Sequence, residues 1–270
     1  MQKRIYFISN LLFIFLLLVA CSNTSNSAQD SADGENEGVA GNVELTISAA
    51  ASLKEALDTI QVAFQEEHPE VVLTFNYGAS GSLQQQISQG APVDLFFSAA
   101  EDKFERLVED GTIAEEDGVD LLGNELVLIV PKGDQTIREF KDLIKTGISN
   151  ISIGTPETVP AGKYAKEALE EMDLWDELES NIVFAKDVRQ VLSYVETENV
   201  EAGLVYQTDA LTSEKIDIVA SLDAKTHTPI IYPVGIIKDS DQYETAKVFF
   251  DYVQSDEALK VFEEYGFTIK

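Results

Sequence analysis

The chain has 270 residues, 44% of them hydrophobic, which is enough apolar surface for one large domain or two lobes with real cores. Its 19 Lys and Arg stand against 48 Asp and Glu, a formal charge of −29. That balance excludes a nucleic-acid binder held by phosphate contacts and opposes electrostatic adhesion to anionic lipid.

The chain opens with "MQKRIYFISNLLFIFLLLVACSN", in which Lys3 and Arg4 precede an apolar run over 11–20. This is the arrangement of a secretory signal, and the run is too short to span a bilayer comfortably. Its end, "LVAC", resembles the lipobox of bacterial lipoproteins, which implies a signal peptide over 1–20 and a lipidated Cys21 as the mature N-terminus. One acyl chain anchors weakly, so a second on Cys21 is expected. Cys21 is the sole cysteine, so no disulfide forms within the chain. Residues 21–42, rich in Ser, Asn, Gly, Asp and Ala, have almost nothing to bury and read as a flexible tether. The expected location is the outer face of the bacterial cell membrane.

From Val43 the pattern alternates between strand and helix periods. "VELTISA" alternates Val43, Leu45, Ile47 and Ala49, and the segment after it places Leu53, Ala56, Leu57, Ile60 and Phe64 on one helical face. "VVLTFNYG", "SLQQQISQG", "DLFFSAA" and "EDKFERLVEDG" continue the series and predict a parallel sheet covered by helices. The long apolar run in "NELVLIVPKG" precedes a restart through "ISIGTP", "AGKYAKEALEEM", "NIVFA", "VRQVLSYVE" and "EAGLVY", predicting a second lobe of the same class. A further run, "IIYPVGII", leads to two amphipathic helices at the C-terminus. If those helices pack on the first lobe, the chain crosses twice, near 125 and 231. The expected fold is α/β with two lobes, each a sheet flanked by helices, joined by a two-strand hinge: lobe I over 43–125 plus 231–270, lobe II over 126–230.

Enzyme motifs mostly fail. His68 in "EEHPE" and His227 in "KTHTP" lie in polar turn contexts without metal-ligand spacing. "GASGS" at 78–82 has Ser where a nucleophile elbow needs its last glycine, and there is no P-loop and no G-x-G-x-x-G. What stands out are four turns where strands give way to helices: "SAAASLKEAL", "YGASGSLQQQI", "TPETVPAGKYAKEAL" and "AKDVRQVL". A helix start leaves N–H groups unpaired and partly positive, and small residues there let an anion approach them. Ser52, Ser80, Thr158 and Asp187 as ordinary N-caps are the competing reading.

These residues carry a resemblance. "AAASLKEAL", "GASGSLQQQI", "GAPVDLFFSA", "VPAGKYAKEAL", "DVRQVLSYVE", "GLVYQTDA" and the terminal "YGFTIK" are similar to the periplasmic molybdate-binding protein (ModA) family of ABC importers. The resemblance spans the whole mature domain and implies a type II periplasmic-binding-protein fold. It further implies an oxyanion of molybdenum or tungsten held at Ser52, Ser80, Ala161, Val188 and Tyr206, without direct metal ligands. No cofactor and no catalysed reaction are implied; the partners are an ABC permease with its ATPase subunits, and the protein itself is expected to be a monomer.

The residues agree on separate grounds. All five are uncharged, and they offer hydroxyl or main-chain donors that suit a fully ionised dianion. A protonated competitor brings a donor against donors, and fit separates molybdate or tungstate from smaller sulfate. Lys54, Lys163 and Arg189 each follow a site position by one or two residues and are expected to be solvated rather than in contact with the anion; Trp175 is expected to be a packing residue. The alternatives are a receptor for sulfate, phosphate or another anion and, from a different class, an extracytoplasmic hydrolase using Ser80.

Overall fold

The computed structural model describes residues 42–270. The expected signal peptide, the lipidated Cys21 and all but the last residue of the tether lie outside the described residues. Two sheets organise the rest. The first is built from β1 (Val43–Ala50), β2 (Val71–Gly78), β3 (Leu95–Phe97), β4 (Ile113–Gly123), β10 (Ile231–Ile237) and β11 (Thr268–Ile269), in the order β11-β4-β10-β3-β1-β2. The second holds β5 (Leu126–Pro131), β6 (Ile151–Gly154), β7 (Ile182–Ala185), β8 (Ala202–Tyr206) and β9 (Ile216–Ser221), in the order β7-β6-β8-β5-β9.

The parallel pairs follow the β-α rhythm of the sequence. β1 runs parallel to β2 and β3, which requires crossover connections, supplied by α1 (Lys54–Glu67) and α2 (Ser80–Ser88). The predicted face of α1 is the buried one, with Ala56, Leu57, Ile60 and Phe64 turned inward. In the second sheet β6 runs parallel to β7 and β8; α4 (Pro160–Glu171) lies between β6 and β7 in the chain, and α6 (Val188–Glu196) between β7 and β8. α3 (Glu101–Glu109) follows β3, and two short helices, α5 (Trp175–Leu178) and α7 (Gln207–Ala210), complete this part.

Neither sheet is purely parallel, which corrects the expectation for the first lobe. β10 pairs antiparallel with β3 and β4, and β5 pairs antiparallel with β8 and β9. The reason is topological: β5 and β10 enter their sheets directly from the other sheet, without a crossover helix to reverse them. β4 and β9 were not predicted at all. β4 carries "AEEDGVD" along a stretch with no fully buried residue and is held as a strand by its ladder with β10. That ladder shifts register between Tyr232 and Pro233, the kind of irregularity at which a proline fits a sheet.

The chain passes from the first sheet to the second through Asn124 and Glu125, and returns after β9 through residues 222–230. α8 (Tyr243–Tyr252) and α9 (Asp256–Glu264) then pack on the first sheet. Phe249 of α8 meets the Phe64 ring edge-on at 5.0 Å, and Phe267 bridges Phe262 and Tyr232 at 5.9 and 5.4 Å. Trp175 is buried under the Lys166 side chain, 4.9 Å from its ring, and away from the site described below. Among the described residues no helix is long and apolar enough to cross a membrane.

Candidate functional site

Residues at the carboxyl ends of β1, β2 and β8 meet the starts of α2, α4 and α6 around one small cavity. Ser52, Ser80, Ala161, Val188 and Tyr206 all line it, with Ala50, Ala51, Gly78, Ala79, Ala99, Val159, Pro160 and Asp187 as neighbours. The cavity is tight, about 10 Å³, room for about one water-sized sphere. A hollow of about 630 Å³ elsewhere is lined by Phe104, Glu101, Glu105, Glu109, Glu115 and Asp120; its charge repels anions.

Three of the four helix starts carry no side-chain cap. The helical turn Ala51–Leu53 is preceded by Ala50, α2 by Ala79 and α4 by Val159, none of which caps its helix. Ser80 is the first residue of α2 rather than its cap, and its Oγ accepts from the Ala99 N–H at 2.9 Å. The Ser80 proton is therefore free to point elsewhere. Ser52 Oγ lies 2.9 Å from the Tyr232 hydroxyl. Asp187 is the exception: it caps α6, its carboxylate accepting from Gln190 N–H at 2.8 Å. Among the described residues, the N–H groups of Ser80, Ala161 and Val188 find no protein acceptor.

Thr158 does not cap α4. Its carbonyl instead accepts from Gly81 N–H at 3.0 Å, across the boundary between the two sheets. A Cβ on Gly81 would stand 2.7 Å from that oxygen, so the glycine is what permits the approach. Gly162 answers a different demand from the one its place beside Ala161 suggests. A Cβ there would collide with the Gly154 carbonyl, so its smallness seats α4 on β6.

The basic side chains near the cavity are paired. Lys54 joins Asp58 on its own helix. Lys163 reaches Asp102 at 3.3 Å on the opposite side of the boundary. Arg189 pairs with Glu55 across the boundary, places Nε 3.1 Å from Asp209, and donates to the Ala51 carbonyl at 3.4 Å. None of the three lines the cavity. Tyr206 is fully enclosed; burial first, then the neighbouring Tyr232, Tyr164 and Asp209, hold its hydroxyl well above the usual phenol range. It stays protonated, and its O–H points toward the Ala99 carbonyl at 3.4 Å, a long bond that yields readily to a better acceptor.

Neither histidine lines the cavity. His68 stacks on Phe64 at 4.6 Å and His227 sits 5.8 Å from the Tyr164 ring, so neither serves Ser80 as a base, and the one carboxylate in the cavity lining, Asp187, is engaged as the cap of α6. Among the described residues no cluster of His, Cys, Asp and Glu is arranged to hold a metal ion. Sequence reasoning missed Asn124, Tyr232 and Asp209. Tyr232 left a signal, a phenol inside the apolar "IIYPVGII" that needs a buried partner; Asp209 left none.

Residues 45–268 match the model of the family described as "Bacterial extracellular solute-binding protein". The chain belongs to that family. It is a family of solute-binding proteins, not of enzymes. The chain is 55% identical over 255 residues, 94% of each chain, to a Bacillus subtilis (strain 168) protein named "Putative ABC transporter substrate-binding lipoprotein YvgL". It is 37% identical to "Molybdate-binding protein ModA" of Haemophilus influenzae, covering 86% of this chain and 92% of that one. The fold superposes on the Azotobacter vinelandii periplasmic molybdate-binding protein with a TM-score of 0.77, at 23% identity, over 84% of this chain and 99% of the other. The architecture is thus that of periplasmic binding proteins, two helix-flanked sheets as expected from the sequence.

Proposed function

We propose that this protein is the substrate-binding lipoprotein of an ABC importer for molybdate or tungstate. It captures the ion outside the cell and delivers it to a membrane permease served by ATPase subunits. The observation that carries the reading is the convergence of the five proposed ligands, Ser52, Ser80, Ala161, Val188 and Tyr206, around one buried cavity whose lining includes no cation. Neutral donors at these five positions bind a fully ionised oxyanion by charge-assisted hydrogen bonds and meet the proton of a protonated one donor to donor. The metal atom sits inside its own oxygens as cargo, and no resident cofactor is called for.

The two sheets act as lobes, 43–125 plus 231–270 and 126–230, that close on the ion. Ser52 and Ser80 come from one side and Ala161, Val188 and Tyr206 from the other, so an ion touching both favours the closed form. The direct contacts across the boundary, Gly81 to Thr158, Lys163 to Asp102 and Arg189 to Glu55, belong to that form. A lipid on Cys21 would hold the monomer at the outer face of the cell membrane, with residues 21–42 as tether. The names of the Bacillus and Haemophilus relatives support the lipoprotein and molybdate parts of this reading.

Calorimetric titration with molybdate, tungstate, sulfate and phosphate tests it. Tight binding of the first two and weak binding of the others is expected. Preference for sulfate or phosphate would reassign the ligand, and no binding of any of the four would remove the oxyanion reading.

A further inference from the structure

Ser52 stands at the end of a hydrogen-bond chain whose direction is fixed at its far end. Glu125 N–H donates to Asn124 Oδ1 at 2.9 Å. A backbone N–H only donates, so the amide oxygen must face it and Nδ2 must face the other way. Nδ2 donates to Thr208 Oγ1 at 2.9 Å and to the Tyr232 hydroxyl oxygen at 3.1 Å. With its oxygen engaged by Asn124, the buried Tyr232 has a proton to give, and Ser52 Oγ lies 2.9 Å away. A Ser52 oxygen that accepts from Tyr232 turns its own O–H toward the cavity.

We propose that Asn124 and Tyr232 set the ligand selectivity of the site: their relay locks the Ser52 hydroxyl as a donor and so restricts the cavity to oxyanions that carry no proton. The inference rests on the oxyanion reading above. Neither residue lines the cavity, so both are positioning residues acting through Ser52. Hydrogen phosphate brings a proton that meets the locked hydroxyl donor to donor, which leaves both unsatisfied. Without the relay the Ser52 hydroxyl rotates and accepts that proton. Asn124 stands in the first crossing between the sheets and binds Tyr232 from one and Thr208 from the other, so the polarity of Ser52 is tied to how the two sheets are arranged.

The test is calorimetry on the detergent-solubilised full chain near neutral pH, with molybdate as ligand and phosphate as competitor, for the parent protein and for Tyr232→Phe, Asn124→Ala and Ser52→Ala. Tyr232→Phe and Asn124→Ala are each expected to narrow the molybdate-to-phosphate affinity ratio by about tenfold, the worth of one hydrogen bond at a charged ligand. Ser52→Ala is expected to weaken molybdate without improving phosphate. An unchanged ratio in the folded variants overturns the proposal. So does a parallel loss for both ions, the mark of a merely structural role, and so does phosphate that still fails to compete at the highest concentrations. Thermal melts identify a misfolded variant, and either substitution suffices if the other fails to fold. A parent protein that binds no molybdate strikes the functional reading instead.

Discussion

The two sides of the cavity present the same kind of donor by different means. The first sheet's side offers side-chain hydroxyls: Ser80, whose oxygen accepts from the Ala99 N–H and whose proton is free, and Ser52, 2.9 Å from the Tyr232 hydroxyl that the proposed relay makes its donor. The second sheet's side offers main chain at Ala161 and Val188, with Tyr206 as its one side-chain donor. Identity therefore matters at Ser52, Ser80 and Tyr206, and conformation at Ala161 and Val188. A substitution deletes a hydroxyl outright, whereas a backbone N–H survives nearly every replacement except proline.

The largest effect is expected where identity matters. Ser80→Ala removes a donor worth about 1.5–3 kcal/mol at a charged ligand, a loss of roughly ten- to a hundredfold in affinity. Stability falls as well, because the Ala99 N–H loses its acceptor. Calorimetry showing parental affinity for Ser80→Ala would take that serine out of the site and erase the asymmetry.

Next comes the contact that joins the two sides. Gly81→Ala sets a methyl group 2.7 Å from the Thr158 carbonyl, and overpacking of this kind costs about 1–3 kcal/mol. The cost falls on the closed form alone, so affinity is expected to drop while the thermal stability of the ligand-free protein holds. Small-angle scattering adds the sharper readout: ligand should contract the parent protein more than the variant, and equal contraction would mean that the boundary tolerates the methyl.

Asp209 probes what lies behind the second side. It is fully buried beside Arg189, and burial raises its carboxyl to about 7, with the Arg189 guanidinium opposing and Asp187 adding to the rise. A raised carboxyl contributes most stability below its unfolded value of about 3.9 and loses it as pH climbs through the folded value. Asp209→Asn removes that dependence. The variant is expected to gain stability relative to the parent between about pH 4 and pH 7, at up to about 1.4 kcal/mol per pH unit, and no further above that. Paired melting curves check the sign, and a difference that stays flat with pH places the Asp209 carboxyl in its ordinary range.

How far each side was legible follows from the same contrast. Ser52 and Ser80 could be picked out because hydroxyls among alanines and glycines are unusual unless something approaches the backbone. Ala161 is chemically mute, and it was reached through the bare helix start "VPAG" and the family resemblance. Gly162 shows the limit of that logic, since its missing side chain makes room for Gly154 rather than for an anion. Lys163 and Arg189 could not be placed from spacing, because their partners, Asp102, Glu55 and Asp209, come from segments distant in sequence. β4 was hidden for a similar reason: its acidic residues say exposed, and only the ladder with β10 says strand.

The smallest expected change in binding is the most diagnostic for the second side. Val188→Ala keeps the unpaired N–H beside the cavity and the Asp187 cap before it, while removing part of a buried side chain. Truncating a buried aliphatic costs about 1–2 kcal/mol of stability through lost packing and a residual cavity. If position 188 serves through its main chain, the melting temperature falls and molybdate affinity shifts by threefold or less, about 0.6 kcal/mol. Ser80→Ala would then lose both affinity and stability, and Val188→Ala stability alone. An affinity loss at Val188 as large as at Ser80 would mean that side-chain packing, not a preserved N–H, positions the ion on this side.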